Sequence, residues 1–303
     1  MRQIRTDLAM EAADGLGNLP GVRVSHWENA GVDVTEVVIS DLKSATRLGK
    51  PMGNYITLES RAVMDRDAEA RMAMSLMIGE EIARMVGDTG DGTVLVAGLG
   101  NRMVTPDSLG PLTVDRLLVT RHIFRELPEF ADERMRSVCA IAPGVMGVTG
   151  IETAEMLESI VKTVQPKCVI CIDALAARAV GRIGGAVQIA DTGIQPGSGV
   201  GNRRAALNRE KLGVEVIAIG MPTVIYAATL ARDAFSALAG QEAGDEELSR
   251  MEAGLMDGPG GDLIVTPREI DGLIKDSAGM IAMGINRALQ PELSDSEIMA
   301  MMD

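Results

Sequence analysis

The sequence predicts an α/β fold: a mostly parallel central sheet with helices on both faces, plus a small β excursion. Short β-branched runs alternate with longer stretches of helical periodicity along most of the chain. Several of those runs are unbroken apolar stretches, as expected of strands buried on both faces. With 303 residues, of which 46% are hydrophobic, the chain can also bury a sizeable core.

Residues 34–40 alternate with period 2 and read as a strand, and 60–86 carry apolar residues at helical spacing with charges between them. Residues 93–97 form a buried strand that runs into Gly98-Leu99-Gly100-Asn101. Pro106 suits a first helical turn, and 109–121 continue that helix. The rhythm repeats: 138–142 strand, 152–164 helix, 169–172 strand, 214–219 strand, 224–238 helix, and a short strand at 263–265 before a helix from Pro267. Residues 181–201 are glycine-rich around Ala186–Ala190, which predicts a hairpin leaving the main sheet. Residues 240–261 are acidic and glycine-rich and read as a flexible excursion within one domain spanning 1–303.

Composition narrows the function. A formal charge of −14 argues against a nucleic-acid partner, which needs clustered Lys and Arg, and itself favours solubility. Arg2 and Arg5 lead into Asp7 and Glu11 rather than an apolar segment, so no signal peptide is expected. The longest uncharged run, 216–231, has about 16 residues and contains Pro222, too short to span a membrane comfortably. The 20 methionines are expected to fill core and helix interfaces. Cys168 and Cys171 resemble a redox pair, yet residues three apart on a strand face opposite ways. With Cys139 they read as reduced core thiols of a cytoplasmic protein.

In an open α/β sheet, sites form where the chain leaves the carboxyl ends of strands. Two carboxylates emerge there: Asp107 beyond the 93–97 strand and Asp173 directly after 169–172. If the strands are neighbours, the two side chains can meet. Close carboxylates cannot both ionise cheaply, so one holds a proton while the other activates water. Asp107 also fits a helix start, where the dipole favours an acid. Asp173 interrupts an apolar run, so it needs a partner such as Arg178 or Arg182, or a task. Asp191-Thr192-Gly193 matches the tripeptide of pepsin-like proteases, but it is single and lies in an α/β chain. The loops at 98–101 and 197–202 could cradle a phosphate through backbone N–H groups, though no Walker lysine follows either. His26 and His122 have no motif around them, and no zinc site of ordinary spacing can be assembled.

The same residues carry a family resemblance. Arg5-Thr6-Asp7-Leu8 with Glu11-Ala12, Gly49-Lys50-Pro51, and Thr57-Leu58-Glu59 resemble the early segments of the germination (spore) endopeptidases. Gly98–Asn101 with 104–111, Ile172–Arg178, 188–194, 196–202, 217–220, 222–224 and 263–267 extend the likeness over nearly the whole chain. The resemblance implies an atypical aspartic peptidase whose fold is related to hydrogenase-maturation peptidases. Its two catalytic aspartates fall on Asp107 and Asp173, with Asn101, Thr105, Arg178 and Asp191 shaping the site. It further implies no cofactor or metal, small acid-soluble spore proteins as substrates in the spore core, and a zymogen that assembles as a homotetramer. Residues 1–12 then lie at the boundary between zymogen and mature forms. Only Met1–Ile4 precede the Arg5 block, so a full propeptide is not expected. Arg102 and Met103 stand where the family commonly has Trp-Asn, and Tyr226 where it usually has an acid. Two alternatives follow from the related fold and from the glycine loops: a nickel-dependent maturation peptidase, and a non-catalytic module binding a phosphorylated ligand.

Overall fold

The computed structural model describes residues 6–14, 17, 19–88, 90, 92–197, 204–239, 250–251, 254–255, 257–258 and 261–302. Most of the acidic stretch 240–261 and the tip of the second glycine loop, 198–203, lie outside the described residues.

The strands are β1 (Val22–Asn29), β2 (Val32–Ile39), β3 (Gly53–Glu59), β4 (Val94–Gly98), β5 (Val138–Ile141), β6 (Cys168–Ala177), β7 (Ala186–Ala190), β8 (Glu215–Tyr226) and β9 (Ile264–Val265). They build a nine-stranded sheet in the order β1-β2-β3-β7-β8-β6-β4-β5, with β9 paired to β8. The run β5-β4-β6-β8 is parallel, as the alternation of strands and helices predicts. The other half is an antiparallel wing in which β7 joins β8 to β3, and β3 continues to β2 and β1. Ala186–Ala190 therefore does not leave the sheet as expected. As β7 it bridges the two halves, because its buried side chains need cover on both faces.

Helices cover both faces. They are α1 (Ala9–Asp14), α2 (Leu42–Leu48), α3 (Arg61–Met64), α4 (Ala68–Val86), α5 (Leu109–Val114), α6 (Arg121–Glu126), α7 (Met146–Thr149), α8 (Thr153–Val164), α9 (Arg209–Leu212), α10 (Ala227–Ala239), α11 (Ile270–Leu289) and α12 (Asp295–Met302). On one face α4, α5 and α11 bury Met74, Ile78, Leu109, Ile274, Ile281 and Ile285 against β2, β3, β4, β6, β7 and β8. On the other, α8 packs Leu157 and Val161 onto Leu95, Val169 and Cys171. Beside it the α1–α2 layer packs Leu8, Ala9 and Leu48 onto Val37, Tyr55, Leu175 and Ala177.

Helix boundaries differ from the expected ones for local reasons. The single helix expected over 60–86 is broken into α3 and α4, with Arg66 at φ 61 between them. Asp67 restarts it as an N-cap, its side chain accepting from the Ala70 N–H at 2.8 Å. The helix expected over 109–121 stops at Val114, and a separate helix begins at Arg121. Residues 224–226 belong to β8 rather than a helix, since Val224 and Ile225 pair with Ala176 and Ala177, and Ile225 also with Val265. Cys168 and Cys171 point into opposite helix layers, and no disulfide joins the thiols. Burial pushes the Cys168 thiol up to about 11, so it is not a ready nucleophile. Among the described residues no helix is long and apolar enough to cross a membrane.

Candidate active site

Strands β4 and β6 are parallel neighbours, with Gly98 opposite Ile172. The chain beyond β4 forms a tight loop and a 3-10 turn, Thr105–Asp107, before α5. That loop is clamped by glycine contacts. A Cβ on Gly98 would lie 2.2 Å from the Gly110 carbonyl oxygen, and Gly100, at φ +105, would meet the Asp107 carbonyl at 2.1 Å. Leu99 donates its N–H to the Ile172 carbonyl at 2.8 Å, which joins the loop to β6 one residue before Asp173. We predict that Gly98→Ala forces the loop off β6, costing about 1–3 kcal/mol of stability. Chemical denaturation measures the loss.

Asp107 is half-buried, and one of its oxygens accepts the Asn101 N–H at 2.8 Å. Burial raises its pKa, and the Asn101 hydrogen bond works against that rise. Asp173 does not end its strand as expected. It sits inside β6, opposite Gly220 of β8, and is only 5% exposed. Its neighbours Cys171 and Leu175 belong to the α8 layer and the α1–α2 layer respectively, so Asp173 points into the seam between them. Burial first, then the negative charges of Asp107 and Asp7, push its carboxyl well above the usual carboxylate range. The Ala174 N–H, donating at 2.9 Å, pulls the other way.

The other expected site residues divide. Asn101 holds Asp107 through its main chain, while its side-chain oxygen accepts from the Met103 N–H at 3.0 Å. Thr105 opens the 3-10 turn, and its carbonyl accepts the Ser108 hydroxyl at 2.8 Å. The arginines do not neutralise Asp173 as expected. Arg182 pairs with Glu11 at 2.8 Å and Glu59 at 2.7 Å, whereas Arg178 gives its N–H to Glu11 and its charge acts on Asp233. Asp191 lies at the end of β7 and accepts the Asn54 N–H at 2.8 Å, pinning the start of β3. The adjoining Tyr55 hydroxyl donates to the Pro51 carbonyl, and burial lifts its pKa to about 12.

The loop at 98–101 is poorly free to cradle a phosphate, since the N–H groups of Leu99 and Asn101 already donate to Ile172 and Asp107. His26 bonds the Thr35 hydroxyl at 3.0 Å, far along the antiparallel wing. Among the described residues no group of three or more His, Cys, Asp and Glu side chains could hold a metal ion.

Sequence reasoning missed the segment that borders the pair. The Asp7 N–H donates to the Ala176 carbonyl, and the Asp7 carboxylate accepts the Ala176 N–H, both at 2.9 Å. Glu11 is 1% exposed and accepts from the main chain of Arg178 and Ala179, from Arg182 and from Thr6. Lys50 donates to the Thr6 and Asp7 carbonyls, and burial lowers its pKa against the charges of Asp7 and Glu11. Gln188 bonds the main chain of Asp7 and Ala9. A polar residue amid the apolar Ala186–Ala190 run was the one signal for it.

The germination protease family model matches residues 2–251. A germination protease of Clostridium acetobutylicum is 41% identical over 98% of this chain and 98% of its own length. One from Caldanaerobacter subterraneus is 42% identical over 97% of each. Among solved structures, the [NiFe] hydrogenase maturation protease HycI of Thermococcus kodakarensis matches 66% of this chain and 94% of its own, at TM-score 0.36 and 20% identity. That score carries no weight in the fold assignment, which rests on the strand order above. The chain belongs to the germination protease family, and it is a peptidase.

Proposed function

We propose that the protein is an aspartic-type endopeptidase in which Asp107 and Asp173 together activate water against a peptide bond. The observation that supports this most is the electrostatic asymmetry of the pair. Both carboxyls are raised by burial, but Asp173 is raised further by the charges of Asp107 and Asp7, while Asp107 keeps a stabilising N–H from Asn101. Asp173 is then the proton holder that polarises the scissile carbonyl. Asp107 is the carboxylate that takes a proton from the attacking water. The tetrahedral intermediate collapses as a proton passes to the leaving nitrogen, and the amine departs.

This division of labour predicts a bell-shaped pH dependence of kcat/KM. Activity is lost in acid as the Asp107 side of the pair takes up a proton, and lost in base as the Asp173 side gives one up. A profile that stays flat through both limbs would contradict it.

We further propose that a single domain spans 1–303, with 1–12 at the zymogen/mature boundary and 240–261 as an acidic excursion. The substrates are small acid-soluble spore proteins in the spore core, and the enzyme works as a homotetramer. Family membership supports these readings, and the docking of residues 6–14 beside Asp173 supports a regulatory place for the N-terminal segment. The test is to incubate the protein with a small acid-soluble spore protein and follow fragments by mass spectrometry, alongside Asp107→Asn, Asp173→Asn and Asp191→Asn. Discrete fragments that vanish in the first two variants, both folded, are expected. Cleavage that survives both but stops in Asp191→Asn would move the chemistry to the Asp-Thr-Gly loop.

A further inference from the structure

Residues 6–9 are held largely through main-chain atoms. The Asp7 N–H meets the Ala176 carbonyl at 2.9 Å, and the Ala176 N–H is taken by the Asp7 carboxylate, the one side-chain contact to Ala176 in the set. Gln188 grips both sides of Leu8: its Oε1 accepts the Ala9 N–H at 2.6 Å and its Nε2 donates to the Asp7 carbonyl at 3.0 Å. Lys50 adds Nζ contacts to the Thr6 carbonyl at 3.1 Å and the Asp7 carbonyl at 2.8 Å. Main-chain N–H and C=O groups are common to every peptide, so a surface that holds residues 6–9 in this way can hold the main chain of another peptide.

The sheet register puts this grip beside the aspartates. Gln188 stands opposite Gly220, and Gly220 stands opposite Asp173. Residues directly across a sheet share a face, so the Gln188 amide and the Asp173 carboxyl project to the same side, separated by a residue with no side chain. Leu175 fills the place a Cβ of Gly220 would take. The amide is nearly buried, at 9% exposed, and is unusual in a strand whose other side chains are all apolar.

We propose that Gln188, Lys50 and the main chain of Ala176 form the subsite that binds the main chain of the peptide substrate, and that residues 6–9 occupy this subsite in the structure. The proposal rests on the peptidase reading and assigns binding roles to residues outside the aspartate pair. The segment must be displaced before substrate enters.

The test is amide hydrogen exchange on the full-length protein, with and without a saturating peptide taken from a small acid-soluble spore protein, whose cleavage by the wild type is followed in parallel. Exchange at residues 6–9 is expected to rise at least tenfold when Asp107→Asn, which does not turn the peptide over, is saturated with it. β6 should stay protected. In Glu11→Gln, which loosens the segment from its far end, adding Gln188→Leu should raise KM at least tenfold while kcat falls by less. A purely structural role for Gln188 would not give that split. Cleavage by the wild type with residues 6–9 protected throughout would overturn the subsite and leave the peptidase intact. Displacement without cleavage would keep the subsite and overturn the catalytic reading. Neither displacement nor cleavage would overturn both.

Discussion

Asp173→Asn is expected to cripple peptide hydrolysis while making the fold more stable at neutral pH. Asparagine keeps an oxygen for the Ala174 N–H and removes only the ionisable proton. A general acid–base group contributes about 10²–10⁴-fold, so kcat/KM should fall by about a thousandfold. The stability sign follows from linkage. An acid whose folded pKa is raised is best accommodated protonated; its contribution is lost as pH rises above the unfolded value near ~3.9 and continues falling to the folded value. The neutral amide escapes that cost, so the variant should be the more stable protein at neutral pH. Asp107→Asn should lose comparable activity with a smaller gain, because Asp107 is less buried and already accepts the Asn101 N–H. Thermal melts at pH 4 and pH 7 separate the cases: the Asp173→Asn advantage should shrink at pH 4. An advantage of equal size at both pH values would mean that Asp173 does not carry the raised pKa.

Glu11→Ala should be among the most damaging substitutions outside the aspartate loops. Its buried carboxylate satisfies the N–H groups of Arg178 and Ala179 at 2.7 and 3.0 Å and the Arg182 guanidinium at 2.8 Å. Removing one partner of a buried ion pair costs about 3–5 kcal/mol, because the groups left behind lose both water and protein contacts. Arg182 retains Glu59, which places the expected loss toward the lower end of that range. Glu59→Gln provides the comparison, since Glu59 is partly exposed and its loss should cost about 1 kcal/mol. Urea midpoints would measure both; similar costs for the two would show that Glu11 is not the anchor.

Much of the candidate site could be nominated from the sequence, and the reasons are local. Asp107 and Asp173 stood out because each follows an apolar run short enough to be a strand, and strand ends are where α/β sheets place their chemistry. The continuation of β6 past Asp173 was not legible. Ala174, Ala176 and Ala177 have no intrinsic preference for a strand; pairing with Met221, Val224 and Ile225 on β8 imposes it. β7 was misplaced because a five-residue apolar strand between glycines says nothing about which partner will flank it. The break before α4 was signalled by Asp67, an acid just ahead of a helical repeat, but no glycine or proline marked it. The role of residues 6–11 was invisible from pattern alone, because their partners are distant in the chain.

That distance has a consequence for how the protein is made. Asp7 leaves the ribosome early, but its partner Ala176 lies 169 residues further along. At roughly 5–20 residues per second, the N-terminal segment spends on the order of 10–30 s with nowhere to dock. Closing so long a loop also carries an entropic cost that only the rest of the sheet can offset. Residues 6–9, made well before their partners, are therefore among the last to find their place, and the seam that holds Asp173 stays uncovered until β6 and β7 have formed. A chain stalled on the ribosome before Gln188 would expose residues 6–9 to added proteases, whereas the released protein would shield them.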